Sequence, residues 1–407
     1  MEVLKNFPED FAEALQTSLY ILRFFNIRYL EDDLSFVQRN WRFSYIFFCV
    51  IVHVVMLSLG LPEILMGEDF MSQFAYLIPS ILVTVHSIFK CFVLLPKTNE
   101  VSTFLRELGL LWRVKFTETQ KQEKDKLLWR VNLVNRVSYW ISICGTCQYV
   151  LTPLAETVIR IFILRQDSKL ILPFYSSFPS NTAKNWLMYI ITYAFQFYSI
   201  FLLVTMYSGA ALMMVTSCGL LTIEFVMLKE DLTRAKPRTK RRRNEESKND
   251  DDEPTIEQFV ERHQKLLRLS RQLDSAFNGM VFIDLLFVGI TTCAFNFMGQ
   301  FTNSTVYRML SYVGVASSLL TVLYLCYYGE LLTSASSSIG DIAYENLWYK
   351  GEKQYKMTIW LIIKIAQNPC RLTSLHYADV SLNMFTKVVS TTWSYFSLMN
   401  SVYSEEE

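Results

Sequence analysis

The chain carries a series of apolar segments that are each long enough to cross a lipid bilayer, which takes ~20 residues of helix. Of its 407 residues, 51% are hydrophobic and the mean hydropathy is +0.21. No water is present in hydrocarbon to bond the backbone, so each N–H and C=O group must find its partner within the protein. The sequence therefore predicts an all-α, polytopic membrane protein.

Seven segments reach this length, at about 43–61, 70–95, 131–154, 186–228, 280–301, 306–328 and 377–403. The fourth contains no proline and would measure roughly 65 Å at ~1.5 Å per residue, about twice the hydrocarbon thickness. Half of that helix should project beyond the bilayer. Residues 357–366 are apolar but too short to cross, and they are predicted to pack against the extended fourth and fifth helices.

The basic residues orient these spans. With the N-terminus in the cytosol, 31 of the 39 Lys and Arg residues fall in cytosolic segments and five in outer loops. Cytosolic loops of membrane proteins carry such an excess of positive charge. The sequence therefore predicts a cytosolic N-terminus and an extracellular C-terminus, an orientation that argues against G-protein-coupled receptors, whose N-terminus is outside.

The predicted spans and their orientation divide the chain into seven parts. These are a cytosolic N-terminal segment (1–42), transmembrane helices 1–4 (43–228) with a long outer loop (156–185), a cytosolic loop with a helical extension (229–276), transmembrane helices 5 and 6 (277–330), a further cytosolic segment (331–376), helix 7 (377–403) and an extracellular tail (404–407). Residues 236–254 place a basic block before an acidic one, and this composition is typical of disorder.

The last segment is unusually polar for a membrane span. Ser, Thr and Asn residues interrupt it throughout, while its large apolar groups recur every three to four residues, at Phe385, Val388, Val389, Trp393, Phe396 and Met399. Such a helix has one apolar flank and one rich in hydroxyls. Two interpretations stay open: the polar flank lines a water-filled path, or its small side chains allow close helix packing.

The sequence gives little indication of metal-binding, catalytic or nucleic-acid-binding function. Cys144 and Cys147 form a CxxC pair on a predicted membrane helix, with no second pair or nearby His, so no metal and no cofactor is expected. No HExxH motif, paired aspartates or Ser/Lys constellation points to an enzyme. The KRRR run at 240–243 is interpreted as part of a solvated loop, and no nucleic-acid partner is expected. Asp284, Arg136 and Lys387 are expected near cytosolic ends of their helices, paired or hydrated.

The C-terminal motif Ser381-Leu382, Phe385, Ser390 and Tyr395-Phe396, together with this layout, resembles the insect odorant receptors. The related gustatory receptors usually end with a Thr-Tyr pair and a Gln-Phe pair, where this chain has Ser394-Tyr395 and Ser401-Val402. It also lacks the greater length of the co-receptor shared within the family. The resemblance therefore implies an odour-tuning subunit rather than that co-receptor.

This resemblance implies an odorant-gated, non-selective cation channel in the plasma membrane of the olfactory neuron dendrite, assembled as a heterotetramer with the co-receptor and surrounded by lipid. Segment 331–376 would belong to a cytosolic anchor, and the outer part of helix 7 would line the pore. Matching the family's terminal stretch places the pore constriction at Leu398, Ser401 and Val402. The alternative is a non-conducting chemosensory receptor that signals through a cytosolic partner.

In the family, odorants bind in the outer half of the helix bundle. Counting from the outer helix ends proposes these ligand-binding residues: Tyr76, Ser80, Val83, Gly145, Gln148, Tyr149, Tyr193, Phe197, Tyr312 and Val315. His86 lies deeper and is proposed either as a ligand hydrogen-bond donor or as a helix-to-helix contact. The motif Asn303-Ser304-Thr305 is a possible glycosylation site on the outer side.

Overall fold

The computed structural model describes residues 4, 6–30, 36–65, 70–163, 165, 170–173, 185–235, 255–302 and 305–404. Within these ranges the side chains of 36–40, 63–65, 70–73, 76, 399–400 and 402–404 are not described. The predictions for loop 236–254, for Asn303 and for tail residues 405–407 therefore lie outside the described residues, as do those for the side chains of Tyr76 and Val402.

The described residues form ten α-helices and one small hairpin. The helices are α1 (Glu9–Phe24), α2 (Phe36–Leu65), α3 (Phe70–Leu94), α4 (Thr98–Leu111), α5 (Glu118–Val158), α6 (Trp186–Arg234), α7 (Ile256–Phe301), α8 (Thr305–Glu345), α9 (Lys353–Ala366) and α10 (Leu382–Ser404). A π-helical turn, Ile159–Ile163, follows α5, and short 3₁₀ turns lie at Leu95–Lys97 and Trp348–Lys350. The strands β1 (Thr373–Ser374) and β2 (Ala378–Asp379) pair antiparallel.

Each predicted span lies essentially within one long helix: α2, α3, α5, α6, α7, α8 or α10. The all-α prediction is therefore confirmed. By length and composition alone, five stretches of the described residues are apolar enough to cross a membrane: Trp41–Pro62, Leu77–Leu111, Trp186–Arg234, Ile256–Phe301 and Thr305–Glu345. α5 and α10 fall below that threshold because their sequences mix Ser, Thr, Asn and Gln with the apolar residues.

Helix α6 is the central element of the bundle. Its 49 residues extend roughly 70 Å at ~1.5 Å per residue, and 94% of its most apolar window is buried within the protein. α1, α3, α5, α7 and α8 all pack on it. Small residues permit this close approach: a Cβ at Gly219 would lie 2.7 Å from Val131 of α5 and 3.1 Å from Tyr328 of α8.

The basic end of the bundle, predicted to be cytosolic, forms the largest apolar core. α1 inserts Phe11, Leu15 and Leu22 into it, and α4 packs against α7. Helix α9 packs mainly on α8 and buries Ile359 and Ile362, whereas the sequence analysis expected residues 357–366 to contact the fourth and fifth spanning helices. The difference arises because α8 continues to Glu345, well past its predicted span, and a short link folds α9 back onto it.

Ion pairs connect the helices and their connecting segments at this end of the bundle. Both terminal nitrogens of Arg113, which lies between α4 and α5, bond the carboxylate of Asp231 on α6. Arg262 on α7 bonds Glu224 on α6 at 2.5 Å and also donates to the carbonyl of Leu111. Glu224 is almost fully buried, so its charge is compensated within the protein rather than by solvent.

Candidate functional site

A cavity of about 200 Å³ lies among α3, α5, α6, α7 and α8, and His53 of α2 also lines it. On α6 its wall runs from Ile200 to Val215, a rise of roughly 22 Å at ~1.5 Å per residue. An apolar cavity of about 150 Å³ in another protein holds benzene. This cavity is therefore large enough for a small aromatic or short-chain molecule.

The cavity wall is mostly apolar. Aliphatic and aromatic groups from all five helices contribute, among them Val83, Ile141, Leu203, Phe295 and Leu310. No Asp, Glu, Lys or Arg from the described part of the chain lines it. Because an unpaired charge is expensive to bury in such surroundings, the cavity is suited to neutral molecules.

Hydroxyl groups also line the cavity, and most of them bond the carbonyl of a residue three or four positions earlier in their own helix. These pairs are Thr84 to Ser80, Ser142 to Ser138, Thr146 to Ser142, Ser208 to Val204, Ser317 to Gly314, Ser318 to Val315 and Thr321 to Ser317. Such bonding satisfies the donor locally. At the outer part of the wall the hydroxyls of Ser80 and Tyr149 lie 2.5 Å apart.

Two wall hydroxyls differ from this pattern. Ser138 Oγ on α5 and Thr291 Oγ1 on α7 are buried and have no hydrogen-bond partner among the described residues. Buried polar atoms are nearly always bonded, so each of these oxygens calls for a partner.

Four of the predicted ligand-binding residues meet at this cavity: Ser80, Val83, Gly145 and Tyr149. A Cβ at Gly145 would have no atom within 4 Å, which agrees with its position at an open space. The other predicted residues whose side chains are described do not line it: His86, Gln148, Tyr193, Phe197, Tyr312 and Val315.

These six residues occupy other environments. Tyr193 donates its hydroxyl to the carbonyl of Val150, while Phe197 and Tyr312 are 43% and 56% exposed on outward faces of α6 and α8. On α6 the cavity lies about three turns deeper than predicted, at Leu203, Tyr207 and Ala211. The sequence cannot distinguish these faces because lipid and cavity both favour apolar groups.

His86 belongs to a buried polar cluster beside the cavity. Its Nε2 lies 2.8 Å from Asp284 Oδ1, and Lys90 Nζ lies 2.6 Å from the same oxygen. Lys90 also donates to the carbonyl of Tyr207 and sits 4.3 Å from the centre of that ring, which itself lines the cavity. The expected pairing of Asp284 is thus observed. The sequence analysis did not identify Lys90 as its partner, because Lys90 lies in an otherwise apolar segment.

Helix α7 contributes Thr291 and Phe295 to the cavity, although the sequence analysis assigned no ligand-binding residue to the fifth span. The opposite side of the same two turns faces α10. There a Cβ at Gly289 would lie 3.5 Å from Thr392 Oγ1, and Cys293 Sγ lies 3.6 Å from the Thr392 carbonyl oxygen. One helix segment therefore separates the cavity from α10.

Helix α10 packs on α7 and α8 along one narrow stripe, where Phe385, Val388, Val389, Thr392 and Phe396 are buried or half-buried. Its other faces are exposed, and they carry the hydroxyl-rich flank that the sequence pattern indicated. Trp393 departs from the predicted apolar flank, because it is 68% exposed and Thr392 occupies the buried position instead. The Met399 side chain is outside the description.

Two of the three predicted gate residues can be located in detail. Leu398 is 60% exposed near the end of α10, and Ser401 is exposed and donates its hydroxyl to the Leu398 carbonyl. Val402 is helical, and its side chain is outside the description. Among the described residues, no group of three or more His, Cys, Asp or Glu side chains is arranged to hold a metal ion.

A family profile described as "7tm Odorant receptor" matches residues 71–393, which is most of the chain. The chain belongs to the odorant receptor family. Membership makes it a receptor rather than an enzyme, and the odorant receptor is a multi-pass membrane protein. The family predicted from the C-terminal motif and the layout is thereby confirmed.

Relatives from Drosophila melanogaster agree with this assignment. Odorant receptor 13a is 25% identical over 65% of this receptor, and odorant receptor 67c is 29% identical over 36%. The odorant receptor coreceptor matches over 35% of the chain at 24% identity. The receptor thus spans about two thirds of the length of receptor 13a and about one third of receptor 67c, and it groups with the odorant receptors rather than the co-receptor.

Solved structures with the same fold confirm the seven-helix architecture. The insect olfactory receptor OR5 from Machilis hrabei, in complex with eugenol, superposes on 96% of this odorant receptor with a TM-score of 0.73 at 14% identity. A second structure of OR5 superposes with a TM-score of 0.72 over the same share.

Proposed function

We propose that this odorant receptor is the odorant-binding subunit of a heteromeric, odorant-gated, non-selective cation channel in the plasma membrane of the olfactory neuron dendrite. Its partner is the co-receptor, in a heterotetramer. One observation carries the proposal: the cavity and α10 contact opposite sides of the same two turns of α7. Family membership and the likeness to a receptor solved with eugenol support it.

Gating follows from that arrangement. A molecule that fills the cavity presses on Thr291 and Phe295, and the opposite side of the helix carries Gly289 and Cys293 against α10. Packed helices shift as units, so a change in the position of α7 is passed to α10. Odorant binding would thus move α10 and open the pore.

The gate itself would be hydrophobic. An apolar constriction excludes water when narrow and conducts when it widens slightly enough to wet. Leu398, which is exposed, and Val402, one turn further on, would form this ring with Ser401 between them. The exposed hydroxyls of α10 would line the water-filled path beside the ring.

Exposed apolar groups at the basic end of the bundle support the proposed assembly into a tetramer. The outer face of α9 carries Met357, Trp360, Leu361 and Ile365, each at least 41% exposed. A contiguous apolar patch of this kind marks a protein interface. In the proposed tetramer this face of the anchor would meet neighbouring subunits.

The deciding experiment is a voltage-clamp recording from cells that express this receptor with and without the co-receptor, while a broad panel of volatile compounds is applied. The proposal expects a fast, reversible cation current that appears only on co-expression. Surface assembly without current would favour the alternative receptor that signals through a cytosolic partner.

Deleting residues 241–252 separates these two functions further. The deletion leaves currents largely intact in a channel subunit. It abolishes signalling if that basic loop is a docking surface.

A further inference from the structure

We infer that Tyr307 on α8 and Glu156 on α5 form a gate at the end of the cavity that lies away from the basic end of the bundle, and that molecules enter and leave the cavity through it. The inference rests on the proposed odorant-binding function and adds the route by which the cavity exchanges its contents. The competing route runs sideways from the lipid between two helices.

Both gate residues continue rows of side chains that line the cavity. On α5 the row contains Gly145 and Tyr149. Glu156 follows Tyr149 by seven residues, so it lies two turns further along the same face, about 10 Å along the helix axis. On α8, Leu310 lines the cavity, and Tyr307 lies one turn beyond it in the same direction. Tyr307 and Glu156 therefore occupy the layer that follows the end of the cavity.

A hydrogen bond joins α5 and α8 in this layer. Tyr307 donates its hydroxyl to Glu156 Oε2 at 3.1 Å, and Arg160 bonds Oε1 of the same carboxylate at 2.5 Å. The Arg160 side chain is 46% exposed and that of Glu156 is 23% exposed, while the Tyr307 ring packs in one apolar cluster with Tyr149 and Leu310. The bonded layer thus reaches from solvent to the side chains that border the cavity.

The neighbouring seams at this end are closed by close packing instead. Between α7 and α8, a Cβ at Gly299 would collide with Ser311 Oγ. Between α3 and α7, Ala75 and Met298 are each 1% exposed and belong to one apolar cluster. Opening either seam would separate whole helices and expose apolar surface, which is unfavourable.

The seam between α5 and α8 opens more easily. When the Tyr307 hydroxyl and the Glu156 carboxylate separate, each can bond water, so the net loss is small. Rotation of two side chains is enough, and the helices stay packed. Between this layer and the cavity, the hydroxyls of Ser80 and Tyr149 form a second polar contact of the same kind.

The test measures passage into the cavity and needs no knowledge of the natural ligand. Val83→Cys places a thiol on the α3 wall of the cavity. The full chain, co-assembled with the co-receptor in lipid nanodiscs, is treated with methyl methanethiosulfonate, a small neutral thiol reagent. Peptide mass spectrometry follows the rate of modification. The native Cys144 is the internal reference, because it is exposed on α5 and does not line the cavity.

Two variants in this background examine the gate. Tyr307→Phe keeps the ring and removes the donor, so the introduced thiol should react about fivefold faster, since the closed gate loses one hydrogen bond. Glu156→Gln removes the charge that binds Arg160 and should speed the reaction by a smaller factor. Tyr312→Phe is the matched control, because Tyr312 lies on the same helix, is 56% exposed and does not line the cavity. Cys144 should react at one rate in all these proteins.

Currents give a second readout in cells that express the assembled channel. For a volatile compound that activates it, Tyr307→Phe should quicken the onset and the washout of the current by the same factor. The midpoint of the dose–response curve should stay unchanged, because a gate alters passage in both directions and leaves affinity as it is.

Equal modification rates of the introduced thiol with and without Tyr307→Phe would overturn the inference, since the reagent would then arrive from the lipid. A parallel rise at Cys144 would also overturn it, because that result indicates general loosening of the helices. Faster modification of the introduced thiol alone, without current to any volatile compound, would leave the gate standing and contradict the channel function.

Discussion

Three ionisable side chains lie close together inside this membrane protein, and their mutual pairing explains how they are tolerated. Lys90 and Asp284 are fully buried, and His86 is 1% exposed. Asp284 Oδ1 lies within hydrogen-bond distance of both His86 Nε2 and Lys90 Nζ, while Oδ2 has no partner among the described residues. Removing one partner of such a pair leaves an uncompensated buried charge, which is strongly destabilising.

Asp284→Asn should therefore lower the free energy of unfolding by about 3–5 kcal/mol, since Lys90 would stay buried without its counter-ion. Thermal unfolding of the purified receptor measures this. The double variant Lys90→Met with Asp284→Asn should recover most of the loss, because no net charge then remains. Asp341→Asn is the control, as Asp341 is exposed on α8. A double variant as unstable as the single one would show that the carboxylate does more than balance Lys90.

The buried side chain of His263, at the basic end of α7, should make the stability of the folded receptor depend on pH. Burial lowers the pKa of His263 from 6.5 to about 4, because its ring packs against Phe259 and is shielded from water. Below pH 6.5 the unfolded chain takes up a proton that the folded chain refuses until about pH 4. Stability is thus complete above pH 6.5 and is lost as the pH falls toward 4, by up to about 3 kcal/mol.

Unfolding measured between pH 7 and pH 4 in nanodiscs checks this expectation. His263→Phe fills the same apolar site without a titrating group, and its stability should fall less over this interval. An equal slope in the two proteins would assign the pH dependence to other residues.

At the scale of the elements, the junction between α8 and the chain entering α10 depends on one glycine. A Cβ at Gly329 would lie 2.8 Å from the backbone oxygen of Val380 and 3.0 Å from its Cγ1. Val380 is buried and immediately precedes the turn into α10. Since a backbone atom cannot move away alone, any side chain at 329 displaces the start of α10.

Gly329→Ala should consequently destabilise the receptor by about 1–3 kcal/mol, as overpacking does in other cores, and should alter the basal current of the assembled channel. Gly289→Ala is the control for stability alone, because a Cβ there makes an ordinary 3.5 Å contact with Thr392. Thermal unfolding and leak current are the two readouts. Equal stability of the two variants would show that the chain before α10 is free to shift.

The positions of the helices along the chain could largely be predicted from the sequence. The direction in which each helix face points could not. Apolar length alone located seven helices, and the hydroxyl pattern of α10 distinguished one apolar flank from one polar flank. Among the predicted ligand-binding residues, Ser80 and Gly145 line the cavity, whereas Tyr312 lies on a face that points outward. The reason is that lipid, neighbouring helices and an apolar cavity all select the same residue types.

At the scale of the whole molecule, α10 is held along one stripe by α7 and α8 and exposes Leu398. The proposed gate predicts that Leu398→Gln and Val402→Gln let water into the closed constriction, because a polar ring no longer repels it. Leak current through the assembled channel should rise or its ion selectivity should change. Leu382→Gln, in the first turn of α10 and far from the constriction, is the matched control. Unchanged permeation in both gate variants would exclude these residues from the constriction.

What the sequence by itself determined is the set of long apolar helices and the family, and it also predicts their orientation. Each follows from a local quantity: apolar length, the distribution of Lys and Arg, and a short C-terminal motif. Only the tertiary structure decided that α7 lines a cavity, that Lys90 meets Asp284 and that α9 packs on α8. These depend on contacts between residues far apart in the chain, and the rotation of each helix is set by its neighbours because its own pattern is apolar on several sides.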